Sequence, residues 1–126
     1  MEEKFKYIFD ETTGILYKYY YGPITLGDIY SSWDEAISKN LIPKETKGFI
    51  LDYRKANFDI DVKDSPGIAD YYKNHLDVFG NYKIAIITQS PKDVVIPMIV
   101  EEKDDGYSSQ PFYTVKAAIK WILGES

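Results

Sequence analysis

Cysteine is absent from the 126 residues. Its absence removes disulfides, thiolate metal sites and cysteine nucleophiles together, and accords with a reducing compartment. Histidine occurs once, at His75, and arginine once, at Arg54. A lone histidine on the apolar side of a helical stretch, with no cysteine or second histidine to join it, reads as boundary packing rather than a general base or ligand. Long apolar runs are missing too: nothing approaches the ~18 residues that would cross a bilayer. The charged start, Met1-Glu2-Glu3-Lys4, leads into an alternating strand and not into a signal-peptide core, so the expected location is the cytoplasm. No lysine-rich block interrupts a net charge of −5. A phosphate backbone would be repelled on average, so nucleic acid is not an expected partner.

Catalytic signatures are equally sparse. There is no Gly-x-Ser-x-Gly elbow, no Walker loop and no Gly-x-Gly-x-x-Gly, so no hydrolase triad and no nucleotide cofactor is expected. Asp59, Asp61 and Asp64 begin like a calcium loop. That loop would need glycine where Asp64 stands and a bidentate glutamate where Asp70 stands, so no metal is expected. With no nucleophile–base pair to name, the expectation is a protein that is not an enzyme.

What is abundant is aromatic: twelve Tyr, six Phe and two Trp. Phe5, Tyr7 and Phe9 alternate with Lys6, Ile8 and Asp10, a strand period. Glu11-Thr12-Thr13-Gly14 is a turn, and Ile15 to Tyr21 answers it as the second arm of an antiparallel hairpin ended by Gly22-Pro23. Thr25 with Asp28 forms a capping box ahead of a helix carrying Leu26, Ile29, Trp33, Ala36 and Ile37 on one face. Gly48-Phe49-Ile50-Leu51-Asp52-Tyr53-Arg54 is the pivotal stretch. Its unbroken apolar run predicts a central strand covered on both faces, ending in an acid, an aromatic and a base.

Beyond it, Ala56 to Lys63 reads as a loop or weak strand. Asp64 or Ser65 caps a second helix with Ile68, Tyr72, His75, Leu76 and Phe79 inside. Ile84 to Ile87 is another fully covered strand. Ser90-Pro91-Lys92-Asp93 predicts a third helix start, and Pro97 a kink or a short first segment in that helix. Pro111 to Thr114 reads as a short edge strand, and Thr114 as the cap of a last helix over Val115, Ala118, Ile119, Ile122 and Leu123. The order β-β-α-β-α-β-α-β-α predicts one α/β domain over 1–126. An N-terminal antiparallel hairpin leads into alternating βα units joined by right-handed crossovers.

The hairpin, the helix opened by Gly22-Pro23-Ile24-Thr25, the stretch Leu51-Asp52-Tyr53-Arg54, and the ending Phe112-Tyr113-Thr114 with Trp121-Ile122-Leu123 together resemble the bacterial SpoIIAA-like family, whose fold is shared with STAS domains. The resemblance covers nearly the whole chain and rests on the order of its motifs. It implies a mixed β-sheet with four helices packed mainly on one side. It further implies a small regulatory, protein-interaction or ligand-binding domain. Asp64-Ser65-Pro66-Gly67-Ile68 is similar to the Asp-Ser-Ser-Gly-Leu of STAS antagonists of anti-sigma factors, in which the second serine is phosphorylated at a helix N-terminus. Here that position is Pro66, so Ser65, one place early, is the candidate phosphosite.

The candidate binding residues are Asp52, Arg54, Ser65, Tyr19 and Tyr21. A chain that otherwise uses only lysine places its one planar guanidinium at the end of the central strand. There Arg54, with Asp52, either binds an anionic group or forms a structural pair that holds the next loop. Tyr17, Tyr19 and Tyr21 share one strand face. They form a surface for a partner or a homodimer if helices cover the opposite face, and core if not. Two functions are open on these residues. One is a non-catalytic interaction module. The other is a binder or carrier of a small apolar or anionic ligand, in a pocket between sheet and helices near Arg54.

Overall fold

The computed structural model describes residues 3–124. Five strands form one sheet in sequential order: β1 (Phe5–Asp10), β2 (Ile15–Ile24), β3 (Gly48–Phe58), β4 (Lys83–Ile87) and β5 (Ser108–Phe112). β1 and β2 are antiparallel, and every later neighbour is parallel. Five helices accompany them: α1 (Leu26–Ser38), α2 (Pro66–Lys73), α3 (Leu76–Phe79), α4 (Val95–Glu102) and α5 (Val115–Leu123).

Topology dictates where the helices lie. Each parallel connection moves one strand further in the same direction, and right-handed crossovers then place every connecting helix on the same face. Trp33 of α1, Ile68 and Tyr72 of α2, Phe79 of α3 and Ile96 and Val100 of α4 accordingly share one core with Leu16, Tyr20, Phe49, Leu51, Tyr53, Ile84 and Ile86 of the sheet. α5 follows the last strand and is bound by no crossover. It folds back under the other face, where Ala118 and Ile122 meet Ile15, Ile50, Ala85 and Ile87. The alternation of Phe49 and Leu51 against Ile50 across two cores explains the unbroken apolar run of β3.

Several local expectations are corrected. β2 does not end at Gly22-Pro23: it continues to Ile24, with Gly22 opposite Ala56 and Pro23 opposite Asn57. β3 likewise takes in Ala56, Asn57 and Phe58, because a neighbour is there to pair with them. The second helix is two pieces. It breaks after Lys73, and Leu76, expected inside, is 42% exposed. His75 stacks on Tyr71 at 4.1 Å and donates from Nδ1 to the Tyr71 carbonyl at 2.8 Å.

α4 begins at Val95 rather than at Ser90, because Asp93 turns away to accept the Phe58 N–H at 3.1 Å. This start puts Pro97 in the first turn, where no intrahelical N–H is required, and no kink is needed. The edge strand β5 is Ser108–Phe112, earlier than Pro111 to Thr114. Two of the side-chain caps read from sequence are present: Thr25 with Asp28 forms the capping box, and Thr114 accepts from Ala117 N at 3.2 Å. Ser65 precedes α2 without a capping bond, and Val94, not Ser90, precedes α4.

Candidate functional site

The α5 side of the sheet is only part-covered, because α5 spans β3, β4 and β5 and leaves β1 and most of β2 bare. Alternation sends Lys6 and Ile8 of β1, Tyr17, Tyr19 and Tyr21 of β2, and Asp52 of β3 toward this face. Tyr19 pairs with Asp52 across the ladder, and Tyr17 and Tyr19 stack at 6.1 Å. The three tyrosines are half-buried, between full exposure and core.

A bulge shapes the centre of the face. Tyr19 opposes Asp52 and Tyr21 opposes Lys55, so Tyr53 and Arg54 together stand against Tyr20 alone. An extra residue leaves one backbone N–H out of the ladder and re-aims the following side chains. Here the stranded donor is Arg54 N–H, which Asp52 Oδ1 accepts at 2.9 Å. The same carboxylate grips the guanidinium, taking Nε at 3.0 Å and Nη2 at 2.6 Å. Asp52 is buried, with 5% of its side chain exposed, while Arg54 remains 44% exposed. A fork held on one edge by a buried acid has its other N–H groups directed outward in a set orientation.

The hydrogen bonds Arg54 donates to Asp52 raise its pKa, so the cation is secure at any ordinary pH. Tyr19 is also raised, first by burial and then by the Asp52 charge, with Arg54 opposing. Its hydroxyl therefore stays a neutral donor. Around this group Lys6, Ile8, Tyr19, Tyr20, Tyr21, Asp52, Arg54 and Lys55 line an open concavity of about 440 Å³.

Four candidates named from sequence thus meet in one place. Ser65 does not join them. It lies ahead of α2 on the opposite side of the sheet, wholly buried, with its hydroxyl donating to the Val62 carbonyl at 2.6 Å. The pocket beside Arg54 opens on the bare sheet face, not between sheet and helices. Under α1, α2 and α4 the space beside Tyr53, Tyr72 and Ile96 amounts to about 20 Å³, room for about one water.

Sequence reasoning missed Lys18. It is fully buried, its Nζ donating to Ser32 Oγ at 2.5 Å. The rings of Trp33, Tyr20, Phe5 and Tyr7 surround it at 3.8, 4.8, 5.0 and 5.5 Å. No carboxylate pairs with it among the described residues. Burial pushes its pKa well below the ordinary lysine value, and the ring faces oppose that shift by favouring the ammonium. The signal was available: strand parity places Lys18 with Leu16 and Tyr20, toward the core.

No family model matches this chain, and no curated protein matches it. Solved structures do. A DUF3478-family protein with a SpoIIAA-like fold from Shewanella loihica aligns with a TM-score of 0.61 at 14% identity, over 97% of this chain and 98% of that one. The anti-sigma factor antagonist SpoIIAA in its unphosphorylated form aligns with a TM-score of 0.51 at 13% identity, over 95% and 98%. The chain therefore has the SpoIIAA-like α/β fold that its motifs resemble. Among the described residues no helix is long and apolar enough to cross a membrane.

Proposed function

We propose that this protein is a non-catalytic regulatory module that binds a partner protein across the bare β1–β2–β3 face, with Arg54 receiving an acidic side chain of that partner. The observation that carries this reading is the meeting of Tyr19, Tyr21, Asp52 and Arg54 on the part of the sheet face that α5 leaves uncovered. Aromatic residues and arginine are the side chains that dominate protein interfaces. The concavity adds Lys6 and Lys55, an excess of positive charge on a chain whose net charge is −5. The fold shared with an anti-sigma factor antagonist supports a regulatory role. A second reading, a small anionic ligand, is favoured by the volume of about 440 Å³, within the range of small-molecule sites. Ser65 remains a separate proposal as a phosphosite, one that requires its turn to open first.

Amide-shift titrations with a short acidic peptide, with benzoate and with inorganic phosphate separate these readings. The peptide is expected to move Tyr19, Tyr21 and Arg54, and Arg54→Ala is expected to abolish the effect while the protein stays folded. Saturation by benzoate or phosphate, with no gain from the peptide, would replace the partner by a small anion. Silence in all three arms would remove the binding face altogether.

A further inference from the structure

The outer edge of β1 carries an inference beyond the Arg54 concavity, whose rim it shares through Lys6 and Ile8. The Lys4 carbonyl accepts from Tyr21 N–H at 3.0 Å. In an antiparallel ladder this fixes the rest: Lys6 and Ile8 turn their backbone groups toward β2, and Phe5, Tyr7 and Phe9 turn theirs outward. Among the described residues no strand lies beyond β1. Its pairing with β2 runs unbroken from Phe5 to Asp10, with no bulge and no proline. Natural edges are commonly blunted by such devices, and the opposite edge strand, β5, does carry Pro111.

We propose that β1 pairs antiparallel with β1 of a second copy, joining two five-stranded sheets into one continuous sheet about a two-fold axis. Opposed residues must share parity, or the core side of one copy would face the bare side of the other. Two central registers satisfy this condition. Centring on Tyr7 sets Lys4 against Asp10 of the second copy, but Lys4 is already held by Asp28 at 2.9 Å. Centring on Ile8 sets Lys6 against Asp10. Lys6 has no ion pair among the described residues, and the Asp10 carboxylate meets only the neutral Thr12 N–H at 3.0 Å.

The second register is the self-complementary one. Tyr7 and Phe9 exchange backbone hydrogen bonds. Ile8 meets Ile8 at the axis, in a non-hydrogen-bonded pair where side chains come closest, which covers a residue left 44% exposed in one copy. Symmetry makes the Lys6–Asp10 pair twice. Both bare faces then lie on the same side, so two Arg54 concavities flank the axis.

Sedimentation velocity over a concentration series tests the proposal. A concentration-dependent dimer is expected, with Tyr7 and Phe9 amides gaining exchange protection as it forms. Lys6→Asp and Asp10→Lys each set like charges together at two places, and each is expected to weaken dimerisation about tenfold or more. Mixed in equal amounts, the two variants oppose Asp with Lys at every pair and are expected to associate again. Lys6→Asp and the mixture keep the test open if Asp10→Lys disturbs its own turn. A wild-type protein that stays monomeric overturns the proposal. So does a dimer that ignores both variants, or a mixture that fails to associate. Arg54→Ala is expected to leave the dimer intact, so failure of the binding-face reading shows separately.

Discussion

At the residue scale the polar groups with the highest stakes are Lys18 and Asp52. Among the described residues Lys18 has no acid beside it, and its Nζ is held by Ser32 and four ring faces. A lysine whose folded pKa is depressed binds fewer protons than the unfolded chain between that depressed value and the ordinary 10.5. Stability contributed by this group therefore rises with pH through that window and is lost as pH falls through the folded value. Lys18→Met is expected to stabilise the protein at neutral pH by on the order of 1 kcal/mol or more. Its gain over wild type should shrink as pH approaches the upper end of the window. Urea unfolding of both proteins across pH checks this, and a constant difference would contradict it. Asp52 is the opposite case, a buried acid fully engaged by Arg54. Arg54→Lys keeps the charge but loses the fork, and a loss of about 1 kcal/mol is expected in the same assay, limited because the outer edge of Arg54 is solvated.

At the element scale, two close approaches decide what can change. Gly48 opens β3 beneath α5, and a Cβ there would lie 2.5 Å from Ile122 Cγ2 and 3.2 Å from the Lys83 carbonyl. Gly48→Val is expected to push α5 off the sheet and destabilise by about 1–3 kcal/mol. Dye binding to the uncovered Ile50 and Ile87 surface would report it. The turn Val62–Asp64 is the second case, since the Ser65 hydroxyl closes it by bonding to Val62. Ser65→Glu buries an acid with no cation given for it and is expected to lower the melting temperature, whereas Ser65→Ala loses one hydrogen bond only. Equal melting temperatures would mean that the site tolerates charge.

Elements also show where sequence reading worked. Thr25 and Thr114 were legible because a cap is local chemistry. The lengths of β2 and β3 were not, because Gly22, Pro23 and Asn57 are weak strand formers held only by their neighbours across the ladder. The late start of α4 was hidden for the same reason: the Asp93 carboxylate goes to Phe58, 35 residues away.

At the scale of the whole molecule, one rule of handedness accounts for both the core and the bare face. Sequential parallel strands send α1 to α4 to one side, and a single terminal helix cannot cover five strands on the other. Composition and periodicity were enough for the α/β class, the hairpin and the doubly covered β3 and β4, but Asp52 and Arg54, expected at the end of the central strand, stand in its middle, at the bulge. That Tyr17, Tyr19 and Tyr21 share one face was also legible, because parity along a strand is a local property. Tertiary packing was needed to establish that those tyrosines are half-buried on the side away from α1 to α4, that Arg54 opens away from those helices, that Ser65 lies apart, and that Lys18 is caged. Each of these depends on which face a distant helix covers. That is set by the path of the chain across the sheet, and no single window of sequence contains it.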